Sequence, residues 1–420
     1  MSRNQGSIRY ADVMSLLRGR VPGQLVLQYT DHCNAACPQC GMRVTANFPR
    51  SKLSVNETKR IIEAAAAKGI KALSFTGGEP FLFIEELIGL IRYAGEVGIP
   101  YIRTGTNGYI FMHSDLKEFP GRMHRLAEQL AGTQIRNFWI SLDSADPSMH
   151  EEMRGLPGVI RGIEKALPIF HEYGIYPAAN LGINRNIGGK GAELNPDQAV
   201  NDPQEYCHSV KDALRKFYRF IINLGFTMVN ACYPMSLESQ ETEELRVVYG
   251  ANSVDQVVKF SLEEKLLLFK ALYDVIPEYR KLIRIFSPRA SLYALIHQYQ
   301  GSWNYGRPCR GGVDFFYVDA KDCSTYPCGY RGNENLGKFW DLDISGLNPD
   351  VDCRKCDWEC FRDPSELFGP VLEFFTSPSN IVMRFMKDPE YRRVWMEDLV
   401  YYKKCDFFNG RKPKEFLPSK

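Results

Sequence analysis

The stretch that decides the fold is LVLQYTDHCNAACPQC, residues 25–40. It begins as a short apolar run typical of a buried strand and ends in three cysteines, Cys33, Cys37 and Cys40. Three thiolates this close together can bind one face of a cubane iron–sulfur cluster. Because no fourth cysteine follows nearby, one iron would keep an open coordination site. The alternative is a structural zinc loop completed by His32 or a distant thiol, since thiolates bind both metals.

Downstream of this stretch, short apolar runs alternate with helical segments as far as residue 232. The runs are Leu25–Tyr29, Ala72–Phe75, Tyr101–Thr104, Phe138–Leu142, Ala178–Ile183 and Thr227–Ala231. Helix starts lie between them: Ser54 and Glu57 are spaced as a capping box, and Asp146 and Asp202 each precede a proline. This alternation predicts an α/β fold, a partial (β/α)6 TIM-like barrel with helices outside its parallel strands. The chemistry of such a fold lies at the C-terminal ends of the strands.

Polar motifs stand at these predicted strand ends. Thr76–Pro80 reads TGGEP; its paired glycines let the backbone approach a ligand, and its carboxylate can accept hydrogen bonds from an amine. Asn107 follows the third run, and Ser141 and Asp143 alternate onto one face of the fourth. Arg154 comes shortly after, either as a ligand or as a solvated helix charge. The barrel therefore predicts one site where these side chains meet the cysteine loop.

Together these motifs resemble the radical S-adenosylmethionine (SAM) superfamily, whose signature is Cys-x3-Cys-x2-Cys after the first barrel strand. The resemblance implies that SAM binds the open iron of a [4Fe–4S] cluster and is cleaved to a 5′-deoxyadenosyl radical. It also implies cofactor contacts at Gly77, Gly78, Glu79, Pro80, Asn107, Ser141, Asp143 and Arg154. In the family, the GGEP motif contacts the SAM amino group, the fourth strand end the ribose, and the arginine the carboxylate. Gln39 departs from the aromatic residue that usually packs near the adenine.

A second group of cysteines lies near the C-terminus. Its members are Cys309, Cys323, Cys328, Cys353, Cys356 and Cys360. Their arrangement around a short hairpin resembles the SPASM/twitch extension of radical SAM enzymes, which binds auxiliary [4Fe–4S] clusters. The resemblance implies one auxiliary cluster held by Cys309, Cys328, Cys353 and Cys356, with Cys360 as a substitute for Cys356; a second auxiliary cluster is the alternative. A zinc ribbon holding the same hairpin also remains open.

We predict four regions from these changes along the chain. Residues 20–235 form the barrel, 236–305 a helical connector, 306–362 the auxiliary cluster domain and 363–420 a helical tail. The connector contains a polar stretch around Glu238–Glu244 and then a helix capped by Ser261 and Glu264. A short helix is expected at Phe339–Asp341.

Composition excludes several classes of protein. The 52 basic and 50 acidic residues nearly balance, so nothing predicts a surface that binds nucleic acid. No apolar run is long enough to span a bilayer, and the first residues lack the pattern of a signal peptide. Clustered thiols are typical of metal or redox chemistry in a reducing compartment, so we expect a cytoplasmic protein.

The function expected from this pattern is hydrogen-atom abstraction from a small metabolite, leading to dehydrogenation, epimerisation or radical coupling. A flavodoxin or ferredoxin would supply the electron. About 24 residues precede the first strand, so we expect neither a peptide-binding nor a cobalamin-binding domain before it. Two alternatives remain: maturation of a ribosomally made peptide, and a non-catalytic iron–sulfur maturation or electron-transfer partner. The sequence does not indicate which residue exchanges a hydrogen atom with the substrate.

Overall fold

The structure is a computed structural model that describes residues 10–40, 50–234, 255–302, 305–354, 356–406 and 409–411. The polar stretch Glu238–Glu244 lies outside these residues. Within them, no helix combines the length and the apolar character needed to cross a bilayer.

A single twisted sheet organises the described part of the chain. Its strands are β1 Gly23–Thr30, β2 Ile70–Gly77, β3 Tyr101–Thr106, β4 Ile135–Leu142, β5 Ala178–Gly182, β6 Met228–Cys232, β7 Arg284–Phe286, β8 Phe315–Val318 and β9 Thr325–Tyr326. The spatial order is β7-β6-β5-β4-β3-β2-β1-β8-β9. All neighbouring strands pair in parallel except β8 and β9, which form an antiparallel hairpin. The predicted α/β fold with a parallel barrel-like sheet is confirmed.

Helices cover the outside of this sheet and continue into the C-terminal region. They are α1 Tyr10–Leu17, α2 Val55–Ala67, α3 Ile84–Glu96, α4 Phe119–Ala131, α5 Pro147–Arg154, α6 Val159–Glu172, α7 Pro196–Asn201, α8 Pro203–Leu224, α9 Leu262–Tyr279, α10 Arg289–Tyr299, α11 Glu359–Thr376, α12 Pro378–Lys387 and α13 Pro389–Cys405. Short 3-10 turns lie at Pro80–Phe83 and Tyr109–Phe111. The predicted caps are present: Ser54 and Glu57 form a capping box on α2, and the Asp146 and Asp202 carboxylates cap α5 and α8.

The two faces of the sheet differ in chemistry because side chains alternate along each strand. On β4, Phe138 and Ile140 point outward into the core beneath the helices, whereas Trp139 and Ser141 line the interior. On β5, Leu181 packs outward and Asn180 faces inward. The interior of the barrel is therefore a cavity lined by polar and apolar side chains, and the strand ends surround it.

The last helices are packed into the barrel at the side of β5 to β7. Leu367 of α11 and Tyr402 of α13 share an apolar cluster with the inward-facing Met228 of β6. The backbone N–H of Ile285 in β7 donates to the Tyr401 hydroxyl at 2.8 Å. α11, which also contributes Pro364 and Phe368 to the lining, is therefore part of the cavity wall.

Two strands come from outside the predicted barrel. β7 belongs to the predicted connector, and β8 belongs to the predicted auxiliary domain yet pairs in parallel with β1. Phe339–Asp341, expected as a helix, is a turn: the Asp341 N–H donates to the Lys338 carbonyl at 3.0 Å. The four-region division itself stays a prediction, although α11 runs across its boundary at residue 362.

Candidate active site

The cysteine loop follows β1 and is held by the ends of two other elements. The Gly78 N–H donates to the Thr30 carbonyl at 2.8 Å, and the Glu79 N–H donates to the His32 carbonyl at 2.7 Å. On the other side, the Ala36 N–H donates to the carbonyl of Arg154 at 3.2 Å. These backbone bonds present Cys33, Cys37 and Cys40 together to the cavity, which all three residues line.

The paired glycines are needed for this attachment. Gly77 has φ +135°, and a Cβ atom there would lie 1.8 Å from the Thr30 carbonyl oxygen. A Cβ atom on Gly78 would lie 2.1 Å from the carbonyl oxygen of His32. Any side chain would therefore push the cysteine loop away. The sequence indicated close approach of the backbone to a ligand; the nearest neighbour is the loop itself, although both glycines also line the cavity.

Glu79 is turned away from the cavity that Gly78 and Pro80 line. Its side chain is fully buried and accepts hydrogen bonds from the backbone N–H groups of Phe81 and Asn107. Burial raises the pKa of this carboxyl to about 7. In this geometry the carboxylate joins the ends of β2 and β3, a different role from the predicted contact with the SAM amino group.

Asn107 connects the third strand end to the cysteine loop. Its Nδ2 lies 2.9 Å from Asn34 Oδ1 and 3.7 Å from Cys33 Sγ. Its Oδ1 accepts from the Tyr109 N–H at 2.9 Å, which fixes the amide orientation. Asn107 is thus placed to orient the first cysteine and lines the cavity beside it.

A buried polar cluster lies on the opposite side of the loop. Asp143 receives two hydrogen bonds from Arg154, Nε to Oδ2 at 2.7 Å and Nη2 to Oδ1 at 3.0 Å. Gln39 Nε2 donates to Asp143 Oδ2 at 2.8 Å. His150 Nδ1 accepts from the Asp143 backbone N–H, and burial lowers the pKa of this imidazole to about 4, so Arg154 supplies the positive charge. From the sequence, Gln39 is only a departure from the usual aromatic residue. Its hydrogen bond to Asp143 depends on a tertiary contact, so no local sequence pattern predicts it.

One large cavity joins these groups to the inner faces of β4 to β6. Its volume is about 1540 Å³. Besides the cysteine loop, Ser141, Asn180 and Asn230 line it with polar atoms, and Trp139 contributes an aromatic surface. A small molecule held there would face both the cysteine loop and the strand ends.

The second cysteine group divides in the structure. Burial, together with the nearby thiols of Cys353 and Cys328, raises the pKa of Cys309 to about 12. Cys356 interacts electrostatically with all three of these cysteines. The Cys309 N–H donates to the Cys353 carbonyl at 2.8 Å, which closes the two segments on each other. Cys309, Cys328, Cys353 and Cys356 therefore lie near one another, and their role as ligands of one cluster stays a prediction.

Cys360 lies elsewhere. Its Sγ is 3.6 Å from Glu359 Oε1, and its charged neighbours are Glu359, Arg103 and Asp363 rather than the four grouped cysteines. It lines the barrel cavity on the first turn of α11. The prediction that Cys360 could replace Cys356 is not favoured by this placement. Cys323 is also separate: it is buried in the β8–β9 turn with φ +59°, a conformation that favours glycine.

Comparison with known proteins places this geometry in a family. Residues 27–192 match the sequence profile of the radical SAM superfamily. This segment contains the cysteine loop and the first five strand ends. Residues 27–192 therefore form a radical SAM domain.

Relatives of this chain are named for different molecules. A GTP 3′,8-cyclase of Vibrio parahaemolyticus is 32% identical over 157 residues, which cover 35% of this chain and 42% of the cyclase. An AdoMet-dependent heme synthase of Methanosarcina barkeri is 26% identical over 358 residues, covering 83% of this chain and 87% of the synthase. The chain thus spans less than half of the cyclase that it matches.

A solved structure shares the fold. Streptococcus suis SuiB bound to S-adenosylmethionine superposes with a TM-score of 0.51 at 17% identity, covering 77% of this chain and 64% of SuiB. At this identity the similarity shows the fold alone. The radical SAM family uses a [4Fe–4S] cluster and SAM, which confirms the cofactor prediction.

The donor set of the cysteine loop fits such a cluster. His32, which could have completed a zinc loop, packs its ring against Phe83 at 5.9 Å between centroids and does not line the cavity. Gln39 Oε1 is buried without a hydrogen-bond partner in the described structure and leaves an acceptor for a bound ligand. Within the described residues, no three Cys, His, Asp or Glu side chains are close enough to hold a single metal ion. In a four-iron cluster, each thiolate binds a different iron.

Proposed function

We propose that this radical SAM enzyme cleaves SAM reductively and abstracts a hydrogen atom from a small metabolite held in the barrel cavity. The observation that carries this proposal is the cavity itself, which extends without a break from the three-cysteine loop to the polar inner faces of β4 to β6. A cluster held by Cys33, Cys37 and Cys40 would supply the electron for reductive cleavage of a C–S bond of SAM. The outcome on the substrate is dehydrogenation, epimerisation or radical coupling.

Different residues of the chain would contribute to different parts of the SAM site. Cys33, Cys37 and Cys40 hold the cluster, and Gly77 and Gly78 fix their loop and form the wall beside it. The remaining contacts lie around the polar cluster described above, where the Asp143 carboxylate, fixed by Arg154, faces the cavity.

We assign the other contacts by position. Ser141 and Asp143 reach the ribose hydroxyls from the β4 end, and the unpaired Gln39 Oε1 offers the ligand an acceptor where an aromatic ring is usual. Arg154 acts through its ion pair with Asp143 rather than as a free guanidinium. Pro80 closes the wall, whereas Glu79 and Asn107 position the loop.

The substrate class follows from the relatives and from the cavity. The cyclase is named for GTP and the synthase for heme, and both names denote small molecules. A cavity of about 1540 Å³ holds a molecule of metabolite size with SAM beside it. Peptide modification remains the alternative. In that case the substrate peptide would have to enter the cavity through an open edge.

We further propose that Cys309, Cys328, Cys353 and Cys356 hold one auxiliary [4Fe–4S] cluster. Four protein ligands leave no open iron, so its role is electron transfer rather than substrate binding. A flavodoxin or ferredoxin in the cytoplasm is the expected source of electrons for both clusters.

The test is anaerobic reconstitution with iron and sulfide, followed by SAM and dithionite and an assay for 5′-deoxyadenosine. The triple variant Cys33→Ala, Cys37→Ala, Cys40→Ala should form none and should keep the iron of one cluster, because the auxiliary ligands are untouched. Cys207→Ala is the matched control, since Cys207 lies on α8 outside both groups. Absence of 5′-deoxyadenosine from the wild type would favour a non-catalytic iron–sulfur partner instead.

A further inference from the structure

Two cysteines that belong to neither cluster group face the same cavity. Cys232 is the last residue of β6, and Cys360 lies on the first turn of α11. Both line the cavity that the three-cysteine loop also lines, and neither forms a disulfide. They come from segments 128 residues apart, so tertiary structure alone brings them together.

One carboxyl group links the two thiols. Cys360 Sγ lies 3.6 Å from Glu359 Oε1, and the Cys232 thiol also contacts the Glu359 side chain. The Tyr233 N–H donates to Glu359 Oε2 at 3.3 Å, which holds the carboxyl between them. On its other side, Cys232 Sγ lies 3.4 Å from Asn180 Nδ2.

The thiols keep their protons in this environment. Burial raises the pKa of Cys232 well above its ordinary value, and Glu359 and Cys360 raise it further. Burial likewise raises the pKa of Cys360, with Glu359 adding to the effect. Both residues therefore present S–H groups to the cavity, and an S–H bond is weaker than most C–H bonds of a metabolite.

We propose that Cys232 and Cys360 are a paired thiol that returns a hydrogen atom to the carbon radical formed on the substrate. This inference rests on the proposed function, because the substrate radical arises only after SAM cleavage. A thiol donor restricts the reaction to one in which a substrate carbon loses one hydrogen atom and receives another, as in an epimerisation. The substrate class is a small metabolite with an epimerisable C–H centre.

The step balances as follows in atoms and electrons. One S–H bond breaks and one C–H bond forms on the substrate, which leaves a thiyl radical. The second thiol gives its proton to Glu359 and the two sulfurs join as a disulfide. The one electron left over would be accepted by the oxidised auxiliary cluster that Cys309, Cys328, Cys353 and Cys356 would hold. The external reductant then restores both thiols with two electrons and two protons.

The fold places an electron acceptor near the pair. Cys360 follows the proposed auxiliary ligand Cys356 by four residues in the sequence. Between them, Trp358 packs on Phe361 with ring centroids 4.7 Å apart, within the same apolar cluster that Cys356 and Cys360 border. A short path therefore runs from the thiol pair to the four grouped cysteines.

The test needs no substrate. Reconstituted holoenzyme is given SAM and dithionite in D2O, and the 5′-deoxyadenosine is analysed by mass spectrometry. Thiols exchange their protons with solvent whereas carbon-bound hydrogens do not, and the O–D bond of water is too strong to react. We expect the wild type to form singly deuterated 5′-deoxyadenosine. The double variant Cys232→Ala, Cys360→Ala should still form the product, with its deuterium reduced to background, and Cys207→Ala should retain the wild-type label.

A second readout does not depend on turnover. Dibromobimane, which bridges neighbouring thiols as they ionise, should crosslink the Cys232 and Cys360 peptides at alkaline pH in holoenzyme that has received no SAM. Cys360→Ser should abolish the crosslink and keep the iron content of the wild type, whereas Cys356→Ser should lose iron.

The outcomes separate the two proposals. Equal deuterium in wild type and double variant, or unlabelled product from the wild type, would overturn the thiol donor while leaving SAM cleavage in place. Loss of iron from Cys360→Ser would also overturn it, because Cys360 would then be a ligand. If no variant and no wild type forms 5′-deoxyadenosine, the proposed function fails and this inference fails with it.

Discussion

At the scale of single residues, the ion pair between Asp143 and Arg154 is buried, with side chains only 1% and 10% exposed. Asp143→Asn should lower the free energy of unfolding by about 3 kcal/mol or more, because it leaves the guanidinium buried without its charge partner. The matched control is Asp115→Asn, whose pair with Arg161 is 69% and 63% exposed and should cost less than about 1 kcal/mol. Urea denaturation of both variants measures the difference, and similar costs would show that the buried pair is not a stabilising feature of the loop.

A second residue-scale prediction concerns pH. Burial raises the pKa of Asp363 to about 8, and the acid is held by the hydroxyls of Ser291 at 2.6 Å and Tyr233 at 3.2 Å. The folded protein therefore keeps a proton that the unfolded chain releases above its ordinary pKa of 3.8. The stability that this bound proton contributes is complete below the unfolded-chain pKa of 3.8 and is lost as the pH rises through about 8.

From about pH 5 to about pH 8, the wild type should lose up to about 4 kcal/mol of unfolding free energy from this group, at about 1.4 kcal/mol per pH unit. Asp363→Asn cannot ionise, so its stability should fall less over the same range. Chemical denaturation at both pH values measures the two slopes. Parallel slopes would show that Asp363 is already ionised in the folded protein.

At the scale of elements, the two capping boxes allow a matched comparison. Glu57 caps α2 at the surface, where, among the residues that the structure describes, its carboxylate accepts hydrogen bonds from the N–H and hydroxyl of Ser54 alone. Glu264 caps α9 through the Ser261 N–H at 2.8 Å and also receives Arg185 Nη2 at 2.9 Å and the Tyr206 hydroxyl at 3.0 Å.

Removing each carboxylate should distinguish the stability that a helix cap contributes from the stability that the buried network around Glu264 contributes. Glu57→Ala should cost about 1 kcal/mol, as one capping interaction does. Glu264→Ala should cost about 3 kcal/mol or more, because it leaves a buried arginine without its partner. The shift in urea midpoint checks the ranking, and equal shifts would mean that the Arg185 contact contributes nothing to folding.

The same elements show which features of the fold the sequence could predict. Both capping boxes and the strands β1 to β6 have local signals, and the structure contains them. β7 is only three residues long, Arg284–Phe286, and its membership of the sheet depends on its pairing with β6. Phe339–Asp341 is too short for a helical period to be distinguished from a turn. Cys360 matched the spacing of a ligand, but spacing does not determine that α11 turns it toward Glu359.

The candidate site was predicted in the same uneven way. The cysteine loop and the glycines have a contiguous motif, so their location followed from the sequence. The bonds of Glu79 to the Asn107 backbone and of Gln39 to Asp143 join residues far apart in the chain, and no local pattern contains that information.

At the scale of the whole molecule, the sheet connects the two cysteine groups. β8 lies between Cys309 and Cys328 in the chain and pairs with β1, the strand that leads into the cysteine loop. The auxiliary cysteines are thus attached to the barrel through backbone hydrogen bonds rather than through a flexible linker. Removal of their cluster should therefore leave the barrel and its loop in place.

The variant Cys309→Ser, Cys328→Ser tests this arrangement. It should lose about four irons per chain, the content of one cluster, and should still form 5′-deoxyadenosine because the loop cysteines are untouched. Cys323→Ser is the matched control: its thiol is as deeply buried on the same hairpin but lies outside the group of four, so the iron content should not change.

Without the auxiliary cluster, the electron released when Cys232 and Cys360 join has no acceptor, so SAM should be consumed without turnover of the substrate. Equal loss of 5′-deoxyadenosine in this variant and in the Cys33, Cys37, Cys40 variant would mean that the two groups do not have separate roles.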